Sequence, residues 1–455
     1  MKRFFFISLI CILFSNNIHA SYPINVDGKE AMSLGILIYN LDSDSIVYEY
    51  ESNKVYTPAS ITKAITSATA ISLLDEKFHF ETQVYTVGKI KNNTLFGDVI
   101  IEASGDATIE SKHFPQNKKF IDSIISSLKR VGIQHIEGKC QINTFNFNVD
   151  CGVNPCWELE DIAWGYGTGL YALNYKDNRM AVSLNNNQVK TTPHVKDLVV
   201  FKYPTLDDSP IELMRPFNSA DLYIQGGISE KYNASCSMPC PEDVFIDEFY
   251  NQLKLAGITI ALSNIENINY QNDRRLIYTH KSPSRDEILQ SLMIRSDNLF
   301  AESMLRAVSM GKSRKSALST QQDLWSKRGI SMKYITINDG SGLARSNRIS
   351  PSFMSKVLKW MSQSNYCKTY VSYFPRAGVN GTLKNFLKGS NLEGNIALKT
   401  GSLNGVQCYA GYKLDSEGTP THTVVIMVNN FFCKRAELRK EIENLLIKVF
   451  NNNTK

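Results

Sequence analysis

The stretch Thr57-Pro58-Ala59-Ser60-Ile61-Thr62-Lys63 decides the predicted fold, because it leads into a helix that carries two reactive side chains. Ser60 and Lys63 are three residues apart and therefore lie on one helix face. The helix N-terminus favours a serine alkoxide beside a neutral lysine. A buried lysine near other cations also loses its proton more easily, so Lys63 is predicted to act as the base for Ser60. An ordinary pair on a solvated face is the alternative.

The helix itself is predicted from apolar residues at helical spacing, which indicate one buried face. These residues are Ile61, Ala64, Ile65, Ala68, Ile71 and Leu74.

A second motif, Ser296-Asp297-Asn298, lies at a predicted break between two helices, where loops present side chains to clefts. Ser296 is predicted to relay a proton towards a leaving amine, and Asn298 to bind the substrate's peptide group. Asp297 is predicted to hold the loop through backbone hydrogen bonds. A simple helix cap is the alternative, since all three residue types are good caps.

A third motif, Lys399-Thr400-Gly401, is predicted to end a strand. Lys399 and Thr400 are candidates for binding a terminal carboxylate, and Lys399 is expected to lower the pKa of Lys63. Gly401 has no side chain, so a substrate backbone can approach it closely. The backbone N–H groups of Ser60 and Ser402 are predicted to form an oxyanion hole. By itself, an exposed edge-strand lysine would be the simpler interpretation.

The order of the three motifs is more informative than any one of them. Together they supply a serine nucleophile, a base, a second hydroxyl, an amide and a second lysine. Serine acyl transfer on D-Ala-D-Ala peptides or β-lactams requires this set of groups.

The first twenty residues are predicted to be a cleaved signal peptide, and an uncleaved anchor is the alternative. Lys2 and Arg3 precede an apolar core that is too short to span a bilayer. Removing this leader lowers the formal charge from +6 to +4, which does not argue for nucleic acid as a partner. Weak association with a membrane or an anionic wall is compatible with this charge.

Eight cysteines follow the leader, and an even number in an exported chain predicts disulfides. Cys151/Cys156 and Cys236/Cys240 are close pairs, and the second could alternatively bind zinc. No histidine spacing indicates a metal site, and His280 is predicted to be a surface or capping residue. The glycine-rich segment at 165–169 follows no parallel strand, so a nucleotide site is rejected. No cofactor or metal is predicted.

The chain is predicted to be an α/β (α+β) protein with a discontinuous catalytic domain. One five-stranded antiparallel sheet flanked by helices is expected. It would combine an N-terminal hairpin, at Leu34–Leu41 and Ile46–Glu51, with three C-terminal strands, at Ile396–Lys399, Val406–Leu414 and Thr421–Asn429. Between the first two motifs lie about two hundred residues of short strands and helices. That length suffices for one or two small β-rich domains.

Further segments carry a resemblance to a known family: 296–302 reads SDNLFAE, 339–345 reads DGSGLAR, 378–383 reads GVNGTL and 104–108 reads SGDAT. With the three motifs, they resemble the class C low-molecular-mass penicillin-binding proteins, the D-alanyl-D-alanine carboxypeptidase/endopeptidase family. Ala107 and Ser402 depart from this pattern, where proline and threonine are usual.

The resemblance implies a penicillin-binding, β-lactamase-like transpeptidase domain at 21–79 and 277–455. It implies an inserted domain II at 80–174 and 246–276, with a domain III at 175–245 inserted in it. It also implies a pocket for the side-chain end of a peptidoglycan stem peptide, formed by Asp161, Arg345, Leu403 and Asn404.

The expected function is therefore an exported serine DD-peptidase of the periplasm or cell envelope, which is acylated by penicillin at Ser60. Its expected partners are peptidoglycan stem peptides and β-lactams, and a homodimer is compatible with the sequence. A β-lactamase shares the three motifs and is the first alternative. A non-catalytic penicillin-binding sensor is the second.

Overall fold

The structure, a computed structural model, describes residues 22–117, 119–144, 147, 152–185, 188–205, 209–216, 219–227, 231–262 and 273–452. The predicted signal peptide lies outside these residues. Within the described part of the chain, no helix is long and apolar enough to cross a membrane.

The strands, in chain order, are β1 (Ser33–Asn40), β2 (Ser45–Tyr50), β3 (Glu81–Lys91), β4 (Thr94–Glu102), β5 (His135–Glu137), β6 (Cys140–Asn143), β7 (Arg179–Asn185), β8 (Gln188–Thr192), β9 (Val200–Pro204), β10 (Glu212–Met214), β11 (Leu222–Gly226), β12 (Lys231–Ser237), β13 (Thr259–Ala261), β14 (Arg274–Lys281), β15 (Ile396–Leu403), β16 (Val406–Leu414) and β17 (Pro420–Asn429).

The α-helices are α1 (Thr62–Leu73), α2 (Phe120–Arg130), α3 (Leu159–Ile162), α4 (Pro241–Leu255), α5 (Arg285–Arg295), α6 (Asn298–Ala307), α7 (Arg314–Lys327), α8 (Pro351–Ser362), α9 (Cys367–Ser372) and α10 (Arg435–Asn452). A short 3₁₀ turn, Ala59–Ile61, precedes α1.

The predicted five-stranded antiparallel sheet is confirmed, with strand order β15-β16-β17-β1-β2. Strand β1 pairs with β17 from Ser33 opposite Asn429 to Asn40 opposite His422, so the two ends of the chain meet in the centre of this sheet. Side chains of β17 alternate between two cores, as strand geometry requires. Val424 and Ile426 pack in the core that contains α10, whereas Val425 packs in the core that contains α1.

Helix α1 differs from its prediction, because it is buried on all sides and not on one face. Every residue from Thr62 to Ile71 is buried, polar ones included. A helix enclosed all round belongs to the centre of a domain. Two of its buried hydroxyls bond within the protein: Thr66 donates to the Gly340 carbonyl at 2.7 Å, and Thr69 Oγ1 donates to the Ile65 carbonyl at 2.8 Å.

The region between the first two motifs forms three further sheets. The largest has the order β13-β5-β4-β3-β14, with β6 also paired to β4. The two smaller sheets have the orders β12-β7-β8 and β10-β11-β9. Two short strands of the largest sheet, β5 and β6, follow one another closely, and Gly138 between them has a φ of +152°.

Two further predictions are wrong. His280 lies buried in β14, with its ring 3.4 Å from the Asp106 carboxylate, because the β3–β14 pairing carries it into the interior. The prediction of disulfides is wrong for the described cysteines, which are all free thiols. Cys236 is buried within β12 whereas Cys240 is exposed at the start of α4, and Cys151 lies outside the described residues.

Candidate active site

Ser60 and Lys63 meet at the start of α1, as their spacing predicts. The 3₁₀ turn presents the Ser60 hydroxyl, and the Lys63 ammonium nitrogen lies 2.9 Å from it. Ala59, just before the serine, has a φ of +49°, a conformation that is uncommon for residues other than glycine. Gly342 makes this turn possible, since a Cβ at that position would lie 1.9 Å from the Ala59 carbonyl oxygen.

The surroundings of Lys63 suit a base. Its Nζ donates to Asn298 Oδ1 and to the Ser341 carbonyl oxygen, each at 2.6 Å. The side chain is completely buried, and burial lowers the lysine pKa to about 8, against the opposing effect of nearby carboxylates such as Asp339. Burial, and not Lys399, is therefore the main cause of the shift.

The second motif joins α5 to α6. Ser296 ends α5 with a φ of +60°, and Asp297 caps α6 by accepting a hydrogen bond from the Phe300 N–H at 3.1 Å. This reversal turns the Ser296 and Asn298 side chains towards Ser60, so that both line the same cavity. The buried Asp297 carboxylate also forms an ion pair at 2.7 Å with Arg179, which is partly exposed, and the sequence did not reveal this pair.

The third motif lies on the edge strand β15, next to Ser296. Lys399 Nζ donates to Ser296 Oγ at 2.8 Å and to the Thr400 carbonyl at 2.7 Å. The lysine is fully buried, and its pKa is lowered by burial and by neighbouring Lys63. Thr400 Oγ1 donates to Thr382 Oγ1 at 2.8 Å, so the GVNGTL segment at 378–383 lies beside the third motif.

Gly401 allows two backbone segments of the site to pack closely, in addition to its predicted role in substrate access. A Cβ at this position would lie 2.6 Å from the Pro58 carbonyl oxygen and 3.0 Å from the Ser60 nitrogen. The close approach is therefore made by the chain's own backbone. It places β15, at Gly401, directly against the Ser60 turn and beside the Ser60 nitrogen.

The segment Asp339–Arg345 forms the support behind Lys63. Asp339 accepts hydrogen bonds from the Gly342 and Ala344 N–H groups and from the Trp157 indole. Glu302 accepts from the Gly340 and Ser341 N–H groups at 3.0 and 2.9 Å. Burial raises the Glu302 pKa to about 7. Two buried carboxylates thus fix the carbonyl that accepts from Lys63.

A cavity of about 670 Å³ opens over the Ser60 hydroxyl. The structure brings eight of the twelve predicted site residues to its wall: Ser60, Asp161, Ser296, Asn298, Arg345, Ser402, Leu403 and Asn404. The remaining four lie outside the wall. Lys63 and Lys399 are buried, and Thr400 and Gly401 lie on the same strand as Ser402.

Asp161 and Arg345 lie at this cavity but do not bond to each other. Asp161 accepts from the Tyr166 hydroxyl at 2.9 Å, and its second oxygen is buried without a partner, so burial raises its pKa. Arg345 pairs with Glu160 at 3.3 Å and donates to the Asn404 carbonyl at 3.2 Å. An unpaired buried carboxylate oxygen suits a ligand that brings a hydrogen-bond donor.

Other wall residues were missed by the sequence analysis. Tyr166 accepts from the Asn298 amide through its carbonyl at 2.8 Å, and Trp164 stacks on it. The glycine-rich turn around Tyr166 was the available signal. Strand β10 contributes Glu212 and Met214, for which the sequence carried no signal. Among the described residues, no three His, Cys, Asp or Glu side chains cluster in a way that could hold a metal ion.

Known proteins are similar in sequence to this chain over most of its length. A sequence profile of the D-Ala-D-Ala carboxypeptidase 3 (S13) family matches residues 24–452. D-alanyl-D-alanine carboxypeptidase DacB of Haemophilus influenzae is 26% identical over 414 residues, 86% of this chain and 84% of that protein. Penicillin-sensitive carboxypeptidase A of Dictyostelium discoideum is 26% identical over 404 residues, 80% of this chain and 75% of that protein.

The fold is shared with a solved structure. The crystal structure of penicillin binding protein 4 (dacB) from Haemophilus influenzae superposes with a TM-score of 0.79 at 24% identity, covering 94% of this chain and 98% of the other. The family profile spans nearly the whole of the described sequence, from before the first strand to the end of α10. On this evidence, the chain belongs to the D-Ala-D-Ala carboxypeptidase 3 (S13) family.

Proposed function

We propose that this chain is a serine DD-peptidase that hydrolyses D-Ala-D-Ala stem peptides or cross-links of peptidoglycan and is acylated by penicillin at Ser60. One observation carries the proposal. Ser60 bonds to Lys63, Lys63 to Asn298, and Lys399 to Ser296, so all three motifs converge at one cavity. Membership of the family supports the same activity.

Acylation begins with Ser60. Its Oγ attacks the carbonyl carbon of the penultimate D-Ala while the neutral Lys63 amine takes the hydroxyl proton. Negative charge develops on the carbonyl oxygen, and the N–H groups of Ser60 and Ser402 stabilise it. Their proximity is supported by the close approach of β15 to the serine turn.

The C–N bond then breaks. The leaving D-amino group gains a proton through Ser296, whose hydroxyl is oriented by the buried Lys399. Asn298 positions the peptide group of the substrate. Water then attacks the acyl-enzyme and releases the peptide and Ser60. A terminal D-Ala as leaving group gives carboxypeptidase action, and a cross-bridge gives endopeptidase action.

The two ends of the substrate are proposed to bind at opposite ends of the cavity. The terminal carboxylate binds near the hydroxyls of Thr400 and Thr382, while Lys399 remains buried behind them. The side-chain end of the stem peptide lies towards Asp161 and Arg345, beside Leu403 and Asn404.

Location and domain division complete the proposal. The chain is proposed to be exported and to act in the periplasm or cell envelope, where its substrate is found. The catalytic domain is proposed at 21–79 and 277–455, with domain II at 80–174 and 246–276 and domain III at 175–245. The separation of the three insertion sheets from the five-stranded sheet supports this division.

Intact-mass measurement after penicillin treatment tests the function. The parent chain should gain one penicilloyl adduct, and Ser60→Ala should gain none. The parent should also release D-Ala from a D-Ala-D-Ala peptide. Rapid turnover of a chromogenic cephalosporin without a trapped adduct would instead identify a β-lactamase, and an adduct without any D-Ala release would identify a sensor.

A further inference from the structure

Among the described residues, no hydrophobic core covers one face of the small sheet β10-β11-β9. Residues paired across neighbouring strands point to the same side of a sheet. Met214 pairs with Tyr223, which pairs with Phe201. Glu212 pairs with Gln225, which pairs with Tyr203. These six side chains, which we call the aromatic face, are all exposed or half-buried, whereas Leu213, Leu222 and Ile224 on the opposite side are buried.

The three rings of the aromatic face are parallel. The Phe201 and Tyr223 centroids are 4.8 Å apart with an interplanar angle of 14°, and those of Tyr203 and Tyr223 are 6.3 Å apart at 5°. Phe201 keeps 37% and Tyr203 keeps 52% of its surface exposed. Exposed aromatic groups of this kind mark interaction surfaces more often than fold requirements.

The aromatic face is continuous with the active-site cavity. All three residues of β10 line the same cavity as Ser60, and two of them, Glu212 and Met214, form the β10 edge of the aromatic face. Neighbouring strands lie about 4.8 Å apart, so the surface extends about 10 Å from that edge to β9. A ligand in the cavity that continues in this direction must pass over the rings.

We propose that the aromatic face binds the glycan strand to which the stem peptide is attached, with an N-acetylated amino sugar stacked on the rings. The inference rests on the proposed function. Pyranose rings have apolar C–H faces that stack on aromatic rings, and hydroxyl groups that hydrogen-bond to polar tips such as those of Tyr203 and Gln225. About four residues of stem peptide separate the scissile bond from the sugar, which extended backbone spans in about 14 Å.

The polarity of the aromatic face favours a sugar over an apolar protein surface. Its rings share the sheet with the carboxylate of Glu212 and the amide of Gln225, both exposed. An apolar partner would have to bury these groups without compensation, which is costly. A sugar supplies hydroxyl and amide groups that can bond to them.

Two substrates with the same pentapeptide test the proposal: the free peptide, and the peptide attached to its disaccharide. We expect D-Ala release with a kcat/KM about tenfold higher for the disaccharide substrate, the size of effect that two aromatic contacts supply. In the double variant Phe201→Ala/Tyr203→Ala, this preference should fall to near unity while the rate with the free peptide is kept.

The control is Tyr334→Ala, which removes a ring that is 76% exposed and lies outside the aromatic face. It should keep the tenfold preference. As a measurement independent of any variant's folding, a tetrasaccharide of N-acetylglucosamine should bind the parent chain, with chemical-shift changes at the three rings in NMR.

The outcomes separate the two proposals. If the parent chain cleaves both substrates equally, the glycan proposal is overturned and the peptidase function stands. If it cleaves neither, the proposed function itself fails. If the double variant keeps the preference but sediments as a monomer where the parent forms a dimer, the face serves self-association and the glycan proposal is wrong.

Discussion

At the scale of single residues, the site depends on how Lys63 is buried. Three acceptors, Ser60 Oγ, Asn298 Oδ1 and the Ser341 carbonyl, surround its nitrogen, and solvent does not reach it. Desolvation disfavours the charged form of an amine. In the proposed mechanism, the lysine therefore serves as a base near neutral pH without a histidine.

The pH dependence of acylation follows from this. Below a pH of about 8 the Lys63 amine holds its proton and cannot take another, whereas above it the neutral base predominates. The second-order rate constant for acylation by penicillin should therefore rise with pH and level off above about 8, measured by rapid-quench mass spectrometry.

The control for this experiment is Lys63→Met, which should react at least a hundredfold more slowly, the usual loss without a general base. It should also show no rise with pH. A parent rate that is constant from pH 6 to 9 would contradict the role of Lys63, provided that circular dichroism shows a folded chain throughout.

The side chains of the three motifs were predictable from the sequence, but their main-chain partners were not. The three motifs named Ser60, Lys63 and Lys399 because their chemistry depends on residue type. The Ser341 and Tyr166 carbonyls, which accept from Lys63 and Asn298, carry no such signal because every residue has a carbonyl. Only the tertiary fold selects them.

At the scale of elements, the contact of β15 with the serine turn determines the geometry of the site. Gly401 allows the strand to approach the Pro58 carbonyl and the Ser60 nitrogen more closely than any side chain would permit. Both neighbours are backbone atoms, so neither can rotate away. The contact therefore responds to a single added methyl group.

Gly401→Ala should move β15 away from Ser60. We expect a loss of about 1–3 kcal/mol in the free energy of unfolding, typical of overpacking, and a fall of at least about tenfold in the acylation rate. Ser402→Ala, on the same strand, should stay within about twofold of the parent because its proposed role uses only the backbone N–H. Equal rates for Gly401→Ala and the parent would refute the contact's importance.

Strands were predicted well where apolar residues recur regularly over a whole segment. The five strands of the main sheet agree with their predictions within a few residues. The surroundings of α1 were not predictable, since the spacing of its apolar residues indicated one buried face, while five neighbouring helices (α5 to α9) and the sheet enclose it. Whether cysteines form disulfides likewise depends on which side chains the fold brings together.

At the scale of the whole molecule, the insertion helps to build the active site. Arg179, the first residue of β7, pairs with Asp297 between the two site residues of the second motif. The Trp157 indole donates to Asp339, and the Tyr166 carbonyl accepts a hydrogen bond from the Asn298 amide. The insertion therefore bonds to the loops at Asp297 and Asp339 as well as forming a cavity wall.

Breaking the link at Arg179 should therefore damage stability and acylation together. Arg179→Met leaves the Asp297 carboxylate buried without its partner, which should cost about 3 kcal/mol in chemical denaturation. Adding Asp297→Asn should restore most of that loss, because asparagine still caps α6.

An exposed ion pair provides the comparison. Lys281 and Glu81 are 3.0 Å apart, with side chains 63% and 46% exposed. Lys281→Met should cost no more than about 1 kcal/mol. If Arg179→Met were equally mild, the insertion would not hold the second motif in place.

The pairing of Ser33 with Asn429 has a consequence for the timing of synthesis. Strand β1 leaves the ribosome early, yet its neighbour β17 is among the last segments to be made, so the sheet that carries Lys399 cannot close on a partial chain. A chain truncated before β15 lacks Lys399 altogether, and one truncated before β17 has no central strand to join β1 to the strands around that lysine. Assembly of the site therefore awaits the strands that are synthesised late.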